Sequence, residues 1–280
     1  MSRIQCTTIF ATALLIGVGC SNNVSVPYCV TTMGDGVSAT FSSNFNCVQV
    51  SVEGSNHVFK SNNLPGYKSY YYGSDSELYE ALPSGNTSAG SNKIISQNLK
   101  YTIPTSGTFK SGALDSTQGG LVSIGVSTNG LAIFNNAANA PDTLSAEAST
   151  FDNYSGHPQN QGVYHYHTEP PKLTNNDANL IGVALDGFLI YGRKCDNGTA
   201  STADDFTPNT TNAAGYSGGA LSANSTTQLD EIHGHVSVTQ HLSTATYHYH
   251  TITSETVTGS TGLKTIMGGY FRGIKGSVSN

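Results

Sequence analysis

The residues best suited to chemistry in this chain are two copies of the tetrapeptide Tyr-His-Tyr-His. They occupy residues 164–167 and 247–250 and contain four of the 9 histidines. Side chains alternate between the two faces of a strand, so the histidines of each copy share one face and lie about 6.5–7 Å apart along it. At that separation two imidazoles can bind one metal ion, while the tyrosines pack on the opposite face.

A third histidine, which follows a glycine, lies upstream of each tetrapeptide. The predicted metal ligands are His157, His165 and His167 in the first set, and His235, His248 and His250 in the second. Around them we predict a layer of supporting residues formed by Asp152, Asp230, Tyr164, Tyr166, Tyr247 and Tyr249. The two aspartates are expected to accept hydrogen bonds from imidazoles and so fix their tautomers. The sequence leaves open whether the two sets form one site or two.

The ligand types limit the choice of metal. Imidazoles with carboxylates nearby suit Zn, Cu(II), Fe or Ni, and zinc and copper are the leading candidates. No cysteine lies near either tetrapeptide in sequence, which argues against a copper centre with two histidines and one cysteine. A three-histidine site with an open position would allow Lewis-acid chemistry.

The histidines also have a purely structural interpretation, in which they hydrogen-bond to backbone carbonyls or carboxylates in a polar core. Because the arrangement occurs twice, each time with a Gly-His upstream, a ligand site is favoured. Three functions therefore stand: an exported metal-binding protein, a metal-dependent extracytoplasmic enzyme with an open histidine site, and a non-catalytic envelope binding module. The sequence favours the first and leaves open whether the protein is an enzyme.

Three sequence blocks occur twice in the same order, which predicts an internal duplication. "IGVSTNGLAIF" is followed by "DNYSGH" and the first tetrapeptide, and "IGVALDGFLIY" by "DEIHGH" and the second. We predict two halves, about 121–170 and 178–254, packed with pseudo-twofold symmetry. Asn-Gly and Asp-Gly within the longest block indicate hairpins with two-residue turns.

Composition favours strands and loops over helices. Charged residues make up only 11% of the chain, while Gly, Ser, Thr, Asn and Tyr are abundant. We predict a mainly β, single domain with long loops, in which an N-terminal β region, 21–120, packs with the duplicated region, 121–280. The formal net charge of −6 and the absence of a basic cluster exclude nucleic acid as a partner.

Residues 1–20 are typical of a secretory signal peptide. A single arginine precedes an apolar run, 9–18, which is too short to span a bilayer. The "LIGVGC" ending resembles a lipoprotein signal, in which Cys20 becomes the lipidated first residue, and plain periplasmic secretion is the alternative. The expected location is the periplasm, or the outer membrane or cell surface with membrane attachment through Cys20.

Export makes disulfides possible for the cysteines that remain in the mature chain. Cys29 and Cys47 are the favoured pair, since they close a short loop, and Cys195 is then unpaired. Pairing of Cys195 with either of the other two remains open.

Several blocks together resemble the YHYH-domain family of exported bacterial proteins. Besides the tetrapeptides they include the Asp-x-x-x-Gly-His blocks, "ALDGFLIYG", the closing "GGYFRG", and upstream "KSNNLPGYK" and "QNLKYTIP". The resemblance covers nearly all of the mature chain and implies a fold and a site without implying a reaction. Ile232 and Tyr270 stand where cysteines are common in the family, so the corresponding disulfides are expected to be absent.

Overall fold

The structure is a computed structural model and is mainly β, as the composition predicts. It describes residues 29–86, 89–118, 123–138, 141–171, 178–210, 216–222, 225–253 and 264–280. The predicted signal peptide and Cys20 lie outside the described residues. Among those residues, no helix has the length and apolar content needed to span a membrane.

The described strands are short, and the two α-helices are shorter than two full turns. In chain order the strands are β1 (Thr32–Met33), β2 (Gln49–Glu53), β3 (Asn56–Ser61), β4 (Leu99–Pro104), β5 (Asp115–Ser116), β6 (Gly125–Ser127), β7 (Ala132–Ile133), β8 (Gly156–Pro158), β9 (Tyr164–Tyr166), β10 (Leu180–Ala184), β11 (Leu189–Tyr191), β12 (Gly234–Thr239), β13 (Leu242–His250), β14 (Ile252–Thr253), β15 (Lys264–Thr265), β16 (Tyr270–Phe271) and β17 (Ser277–Ser279). The α-helices are α1 (Ala39–Asn44) and α2 (Leu144–Glu147), and 3₁₀ turns span Tyr70–Tyr72 and Ala148–Thr150.

The largest sheet has a strand order that reads alike from both edges. Its eight strands run β12-β13-β11-β10-β6-β7-β9-β8, with the antiparallel pair β10 and β6 at the centre. On each side a hairpin is followed by a parallel strand, β9 or β13, and then by an antiparallel edge strand, β8 or β12. This order has the symmetry expected of two equivalent halves; their origin by duplication stays a prediction.

The hairpins β6–β7 and β10–β11 form as predicted, but their loops have three residues instead of two. In the first, Ser127 N–H donates to the carbonyl of Leu131, which encloses residues 128–130. Only the glycine of each Asn-Gly or Asp-Gly pair has positive φ, with Gly130 at 77° and Gly187 at 84°. A two-residue type I′ turn needs positive φ at both central residues, whereas a three-residue loop needs only the glycine in that conformation.

A second sheet, ordered β1-β2-β3-β4-β17, packs through a common core with the large one. The buried apolar cluster includes Phe59 and Tyr101 from the second sheet and Val126 and Ile133 from the first. The fully buried Asn63 connects them, because its amide donates to the carbonyl of Tyr164 at 2.8 Å and accepts from Ala132 N–H at 2.8 Å. The N-terminal region thereby fixes the position of β9, which carries the first tetrapeptide.

One disulfide joins Cys29 and Cys47, the pair favoured from the sequence. Its presence fits an extracytoplasmic location, because such bonds persist in oxidising compartments. Cys195 is buried and outside any disulfide. Both alternative pairings of Cys195 are therefore wrong.

Candidate metal centres

Strand pairing places the histidine of each Gly-His opposite the first histidine of the tetrapeptide that follows it in the sequence. His157 on β8 faces His165 on β9, and His235 on β12 faces His248 on β13. The next histidine, His167 or His250, lies two residues further on, so it projects from the same face. All six of these side chains are buried, as are the four alternating tyrosines on the opposite face.

Each edge strand starts from a turn built on an aspartate. Asp152 Oδ1 accepts from Gly156 N–H at 3.3 Å, and Tyr164 donates its hydroxyl to the Asp152 carboxylate at 2.8 Å. A Cβ atom on Gly156 would overlap the Tyr164 hydroxyl, so only glycine fits between tyrosine and aspartate. Asp230, Gly234 and Tyr247 repeat the arrangement in the second half.

The aspartates therefore support the centres differently from our prediction. We expected Asp152 and Asp230 to accept hydrogen bonds from imidazoles, and this is wrong: their oxygens accept from a tyrosine hydroxyl and from backbone amides of the turn. The reason is the strand period, which puts the tyrosines on the aspartate side and the histidines on the other. Each aspartate fixes the turn and the tyrosine layer, and through them the position of the Gly-His backbone.

Hydrogen bonds at Nδ1 assign the tautomers of the first histidine set. His165 Nδ1–H donates to the carbonyl of Val163 at 3.0 Å, and His167 Nδ1–H to that of Asn135 at 2.6 Å. His157 Nδ1 lies 2.7 Å from Thr150 Oγ1, whose own proton is donated to the carbonyl of Glu147. Thr150 must therefore accept from His157, and all three imidazoles carry their proton on Nδ1.

The second set has the same tautomers. Three backbone carbonyls accept from the Nδ1–H groups: Ser225 at 3.1 Å for His235, Thr246 at 3.0 Å for His248 and Gly192 at 2.7 Å for His250. Neutral imidazoles in this state have an unprotonated Nε2 with a free lone pair. In both sets these lone pairs point inward.

The ligand nitrogens of each set lie close together, and those of His157, His165 and His167 are all within 4.8 Å of one another. His165 Nε2 is 2.9 Å from His167 Nε2, while His235 Nε2 is 3.1 Å from His248 Nε2 and 3.2 Å from His250 Nε2. With both partners unprotonated these pairs repel, and a cation between them removes the repulsion. Tetrahedral zinc with bonds of about 2.0–2.1 Å would separate two nitrogens by about 3.3–3.4 Å, close to the observed spacing.

Burial keeps the imidazoles neutral. It lowers the pKa of His157 and of His248 to about 3, with a smaller contribution from a neighbouring histidine in each case. The pKa of His167 and that of His235 fall to about 4, mainly through burial. Neutral imidazole is the form that binds a metal ion.

The first centre also has a carboxylate and an open side. Glu147, at the end of α2, lies with its carboxylate oxygens 3.8 Å from His157 Nε2 and 3.6 Å from His167 Nε2. Among the described residues, neither Glu147 Oε2 nor His157 Nε2 has a hydrogen-bond partner. Burial, followed by the nearby Asp142, raises the pKa of Glu147 to about 7. A pocket of about 670 Å³ reaches Glu147 and His157, with Tyr71, Asn92 and Gln159 among its lining residues.

The second centre contains a thiol. Cys195 Sγ lies 3.3 Å from His235 Nε2 and 3.6 Å from His250 Nε2, and Cys195 is as buried as the imidazoles. Burial, with smaller contributions from Asp196 and Asp205, raises the pKa of this thiol to about 12. The argument against a centre with two histidines and one cysteine relied on distance in the sequence, and its premise is wrong, because Cys195 lies beside His235 and His250 in the fold.

Sequence reasoning did not identify Glu147, Thr150 or Cys195 as site residues. Glu147 and Thr150 are three residues apart on one short helical segment, which begins at Thr143, the N-cap whose hydroxyl accepts from Ala146 N–H. For Cys195, the usable signal was an unpaired cysteine left over in an exported chain with two histidine sets.

The two histidine sets form two centres, not one. Counting across the sheet order, β9 and β13 are five strand spacings apart, which corresponds to roughly 24 Å. Both centres lie on the same face of the sheet, because residues paired across strands project from the same face, as do residues two apart on one strand. Successive pairs lead from His165 to Leu189 by way of Ala132, Val126 and Val183. Tyr191, two residues after Leu189, is paired with His250. Ions bound at the two centres would therefore act independently.

Comparison with known proteins gives one match. A family model described as YHYH protein matches residues 100–262, a range that contains both centres. No curated protein and no solved structure matches the chain significantly. The chemistry therefore has to be inferred from the centres themselves.

Proposed function

This chain belongs to the YHYH protein family, and we propose that it is an exported protein that binds divalent transition-metal ions, zinc or copper, at its two histidine centres. The first centre is formed by His157, His165 and His167, and the second by His235, His248 and His250. Attachment to the membrane through a lipidated Cys20 is part of the proposal. Cleavage and acylation at Cys20 are tested by mass spectrometry of the native protein.

One observation supports metal binding above all others. Every imidazole of the two centres uses Nδ1–H in a hydrogen bond, so each Nε2 carries a lone pair, and three pairs of these atoms lie 2.9–3.2 Å apart without a proton between them. A histidine cluster that only stabilised a polar core would pair each lone pair with a donor. Here the missing donor is replaced by a cation, and the Nδ1 acceptors orient the ligands in advance.

Metal content of the untagged protein tests the proposal. After equilibration with Zn²⁺ or Cu²⁺ and removal of excess ion, elemental analysis should give about two ions per chain. His165→Ala should leave about one, with the affinity of the first centre reduced at least ~100-fold. The matched control is His241→Ala, because His241 lies outside both centres and contacts Tyr191 instead. Substoichiometric metal in the wild-type protein would contradict the proposal.

A second candidate function, a metal-dependent hydrolytic enzyme, is favoured by the pocket at the first centre. A bound zinc ion supplies Lewis-acid chemistry there. Glu147 is positioned to take a proton from a water molecule, since its carboxylate faces the imidazoles and borders the open pocket. The polar groups lining the pocket fit a polar substrate.

Activity of the Glu147 variant tests this second function. The zinc-loaded protein is assayed with p-nitrophenyl acetate and with bis(p-nitrophenyl) phosphate. Glu147→Gln should lower the rate on the accepted substrate about 10²–10⁴-fold without lowering zinc content. Glu231→Gln is the control, because Glu231 contacts Ser222 in the other half. Equal rates in the wild type and in Glu147→Gln would exclude the role of this carboxylate.

A further inference from the structure

The second centre is more than a copy of the first, because a sulfur atom closes it. We infer that Cys195 is a metal ligand, and that Cys195, His235, His248 and His250 form a closed, thiolate-containing zinc centre. The inference rests on the proposed function, in that it assumes metal binding at the second histidine set. It adds a ligand and a coordination type that the first centre does not share.

The distances around Cys195 fit a tetrahedral ion. With a Zn–S bond of about 2.3 Å and Zn–N bonds of about 2.0–2.1 Å, sulfur and nitrogen ligands would be separated by about 3.5–3.6 Å. Cys195 Sγ is 3.3 Å from His235 Nε2 and 3.6 Å from His250 Nε2. These nitrogens are the same ones whose lone pairs converge on each other, so sulfur and nitrogens face one common point.

The backbone holds Cys195 in this position without help from a metal. Its N–H donates to the carbonyl of Phe206 at 2.9 Å, and its carbonyl accepts from Phe206 N–H at 3.2 Å. The next residue, Asp196, accepts from Gly198 N–H and from Gln240 N–H, which ties the segment to the loop between β12 and β13. A side chain fixed in this way keeps its sulfur beside the imidazoles.

The environment of Cys195 distinguishes it from an ordinary buried thiol. A cysteine that serves only as a small apolar side chain is surrounded by apolar atoms, whereas Cys195 faces two unprotonated imidazole nitrogens. Among the described residues, the thiol and the Ser237 hydroxyl, which lies 3.3 Å from His235 Nε2, can donate to at most two of the three Nε2 lone pairs, so at least one is left without a donor. When a zinc–sulfur bond forms, the thiol proton is released to solvent, and the resulting thiolate and three neutral imidazoles satisfy four coordination positions.

Cys195, His235 and His250 place their ligand atoms within 4.8 Å of one another, and His248, whose Nε2 is 3.1 Å from His235 Nε2, completes the inferred set of four ligands. Zinc bound by four protein ligands is typical of structural sites, whereas catalytic zinc keeps a position for water or substrate. Cys195 and the three histidines are each at most 3% exposed, so little room is left for an exogenous ligand. We therefore expect this ion to stabilise the fold and to exchange slowly.

Cobalt substitution tests the inference, because Co²⁺ bound by a thiolate gives a sulfur-to-metal charge-transfer band in the near ultraviolet. The untagged, metal-free protein is titrated with Co²⁺ and then with Zn²⁺. The wild type should develop the band with about one equivalent of Co²⁺. Cys195→Ser should abolish the band and weaken the second centre on the order of 100-fold or more, while about one equivalent still binds at the first centre.

Variants of the first centre separate this inference from the proposed function. His165→Ala should retain the thiolate band while losing about one equivalent of metal. If the wild type binds about two equivalents without a charge-transfer band, or if the band survives in Cys195→Ser, the inference is overturned and the proposed function stands. If no metal binds to the wild type at all, both fail. Circular dichroism of Cys195→Ser confirms that the fold is kept.

Discussion

The two centres share a frame of strands and differ in what borders it. In both, a cross-strand histidine pair and a third imidazole present inward-facing Nε2 atoms. The first is bordered by Glu147 and a pocket, whereas Cys195 closes the second. The repeated strands thus fix the imidazoles, while Glu147 and Cys195, which lie outside the repeated sequence blocks, make the surroundings of the two centres different.

The tyrosine layer behind the centres differs as well. In the first half Asn129 donates to the Tyr166 hydroxyl at 3.1 Å, whereas in the second half Asp186, at the matching position, accepts from the Tyr249 hydroxyl at 2.6 Å. Burial raises the pKa of Asp186 to about 6, despite several hydrogen bonds that lower it. At this position Tyr166 therefore contacts a neutral amide, whereas Tyr249 contacts an ionisable carboxyl.

The largest effect should come from removing a tyrosine ring, and it should be similar in both halves. Tyr166→Ala and Tyr249→Ala each leave a cavity in the core, since both rings are completely buried, and we expect a loss of about 3–5 kcal/mol in the free energy of unfolding. Chemical denaturation of the metal-free variants measures it. Tyr166→Phe is the control that keeps the ring. A loss below about 1 kcal/mol in one half alone would show that the tyrosine does not stabilise the two halves equally.

A methyl group at the glycine before each edge histidine should destabilise both halves. Gly156→Ala and Gly234→Ala push the Tyr164 or Tyr247 hydroxyl away from its aspartate, and we expect each to cost about 3 kcal/mol through overpacking and a lost hydrogen bond. Thermal unfolding compares them with Gly219→Ala, whose added Cβ meets no atom within 4 Å. A neutral Gly234→Ala would show that the second half tolerates a different turn.

In the first centre a side-chain hydroxyl accepts the Nδ1 proton of one ligand, whereas in the second centre backbone carbonyls accept all three Nδ1 protons. Thr150→Val removes the acceptor of His157 Nδ1–H, so the affinity of the first centre should fall about 10–100-fold. The corresponding acceptor for His235 is the backbone carbonyl of Ser225, so Ser225→Ala should leave the second centre unchanged. Competition with a zinc chelator measures both affinities. Equal loss in the two variants would contradict this difference between the centres.

The smallest effect concerns the buried carboxyl group of Asp186. Because the pKa of folded Asp186 is raised to about 6, its contribution to stability is present below its ordinary pKa of about 3.9 and is lost as pH rises through about 6. Wild type should therefore lose about 1 kcal/mol relative to Asp186→Asn between about pH 5 and about pH 7. Denaturation of the metal-free proteins at both pH values gives the difference. If the stability difference between the wild type and Asp186→Asn is unchanged or reversed, the pKa of Asp186 is not raised in the folded protein.

The sequence was sufficient for features that depend on local period and repetition. Alternation of Tyr and His predicts which side chains share a face, and the repeated Gly-His blocks predict the cross-strand pairs. The contact between Asp152 and Tyr164 could not be predicted in this way, because the Tyr164 hydroxyl reaches from β9 to the turn that precedes the neighbouring strand β8. Cys195 and Glu147 could not be predicted for a related reason. Cys195 lies in a loop and Glu147 at the end of the short helix α2, and no periodic pattern in the sequence indicates where such segments pack.

Each centre binds an outermost strand of the large sheet to its neighbour. β8 and β12 are the strands whose free backbone groups another chain could pair with, and each supplies one imidazole, from His157 or His235. Pro158 lacks a backbone N–H and so makes the three-residue β8 a poorer partner for an added strand, whereas the six-residue β12 contains no proline. A cation at the second centre would therefore link β12 to β13 and hold this longer edge strand in place. Removal of the cation should first appear as faster amide hydrogen exchange along β12 and as self-association of the protein.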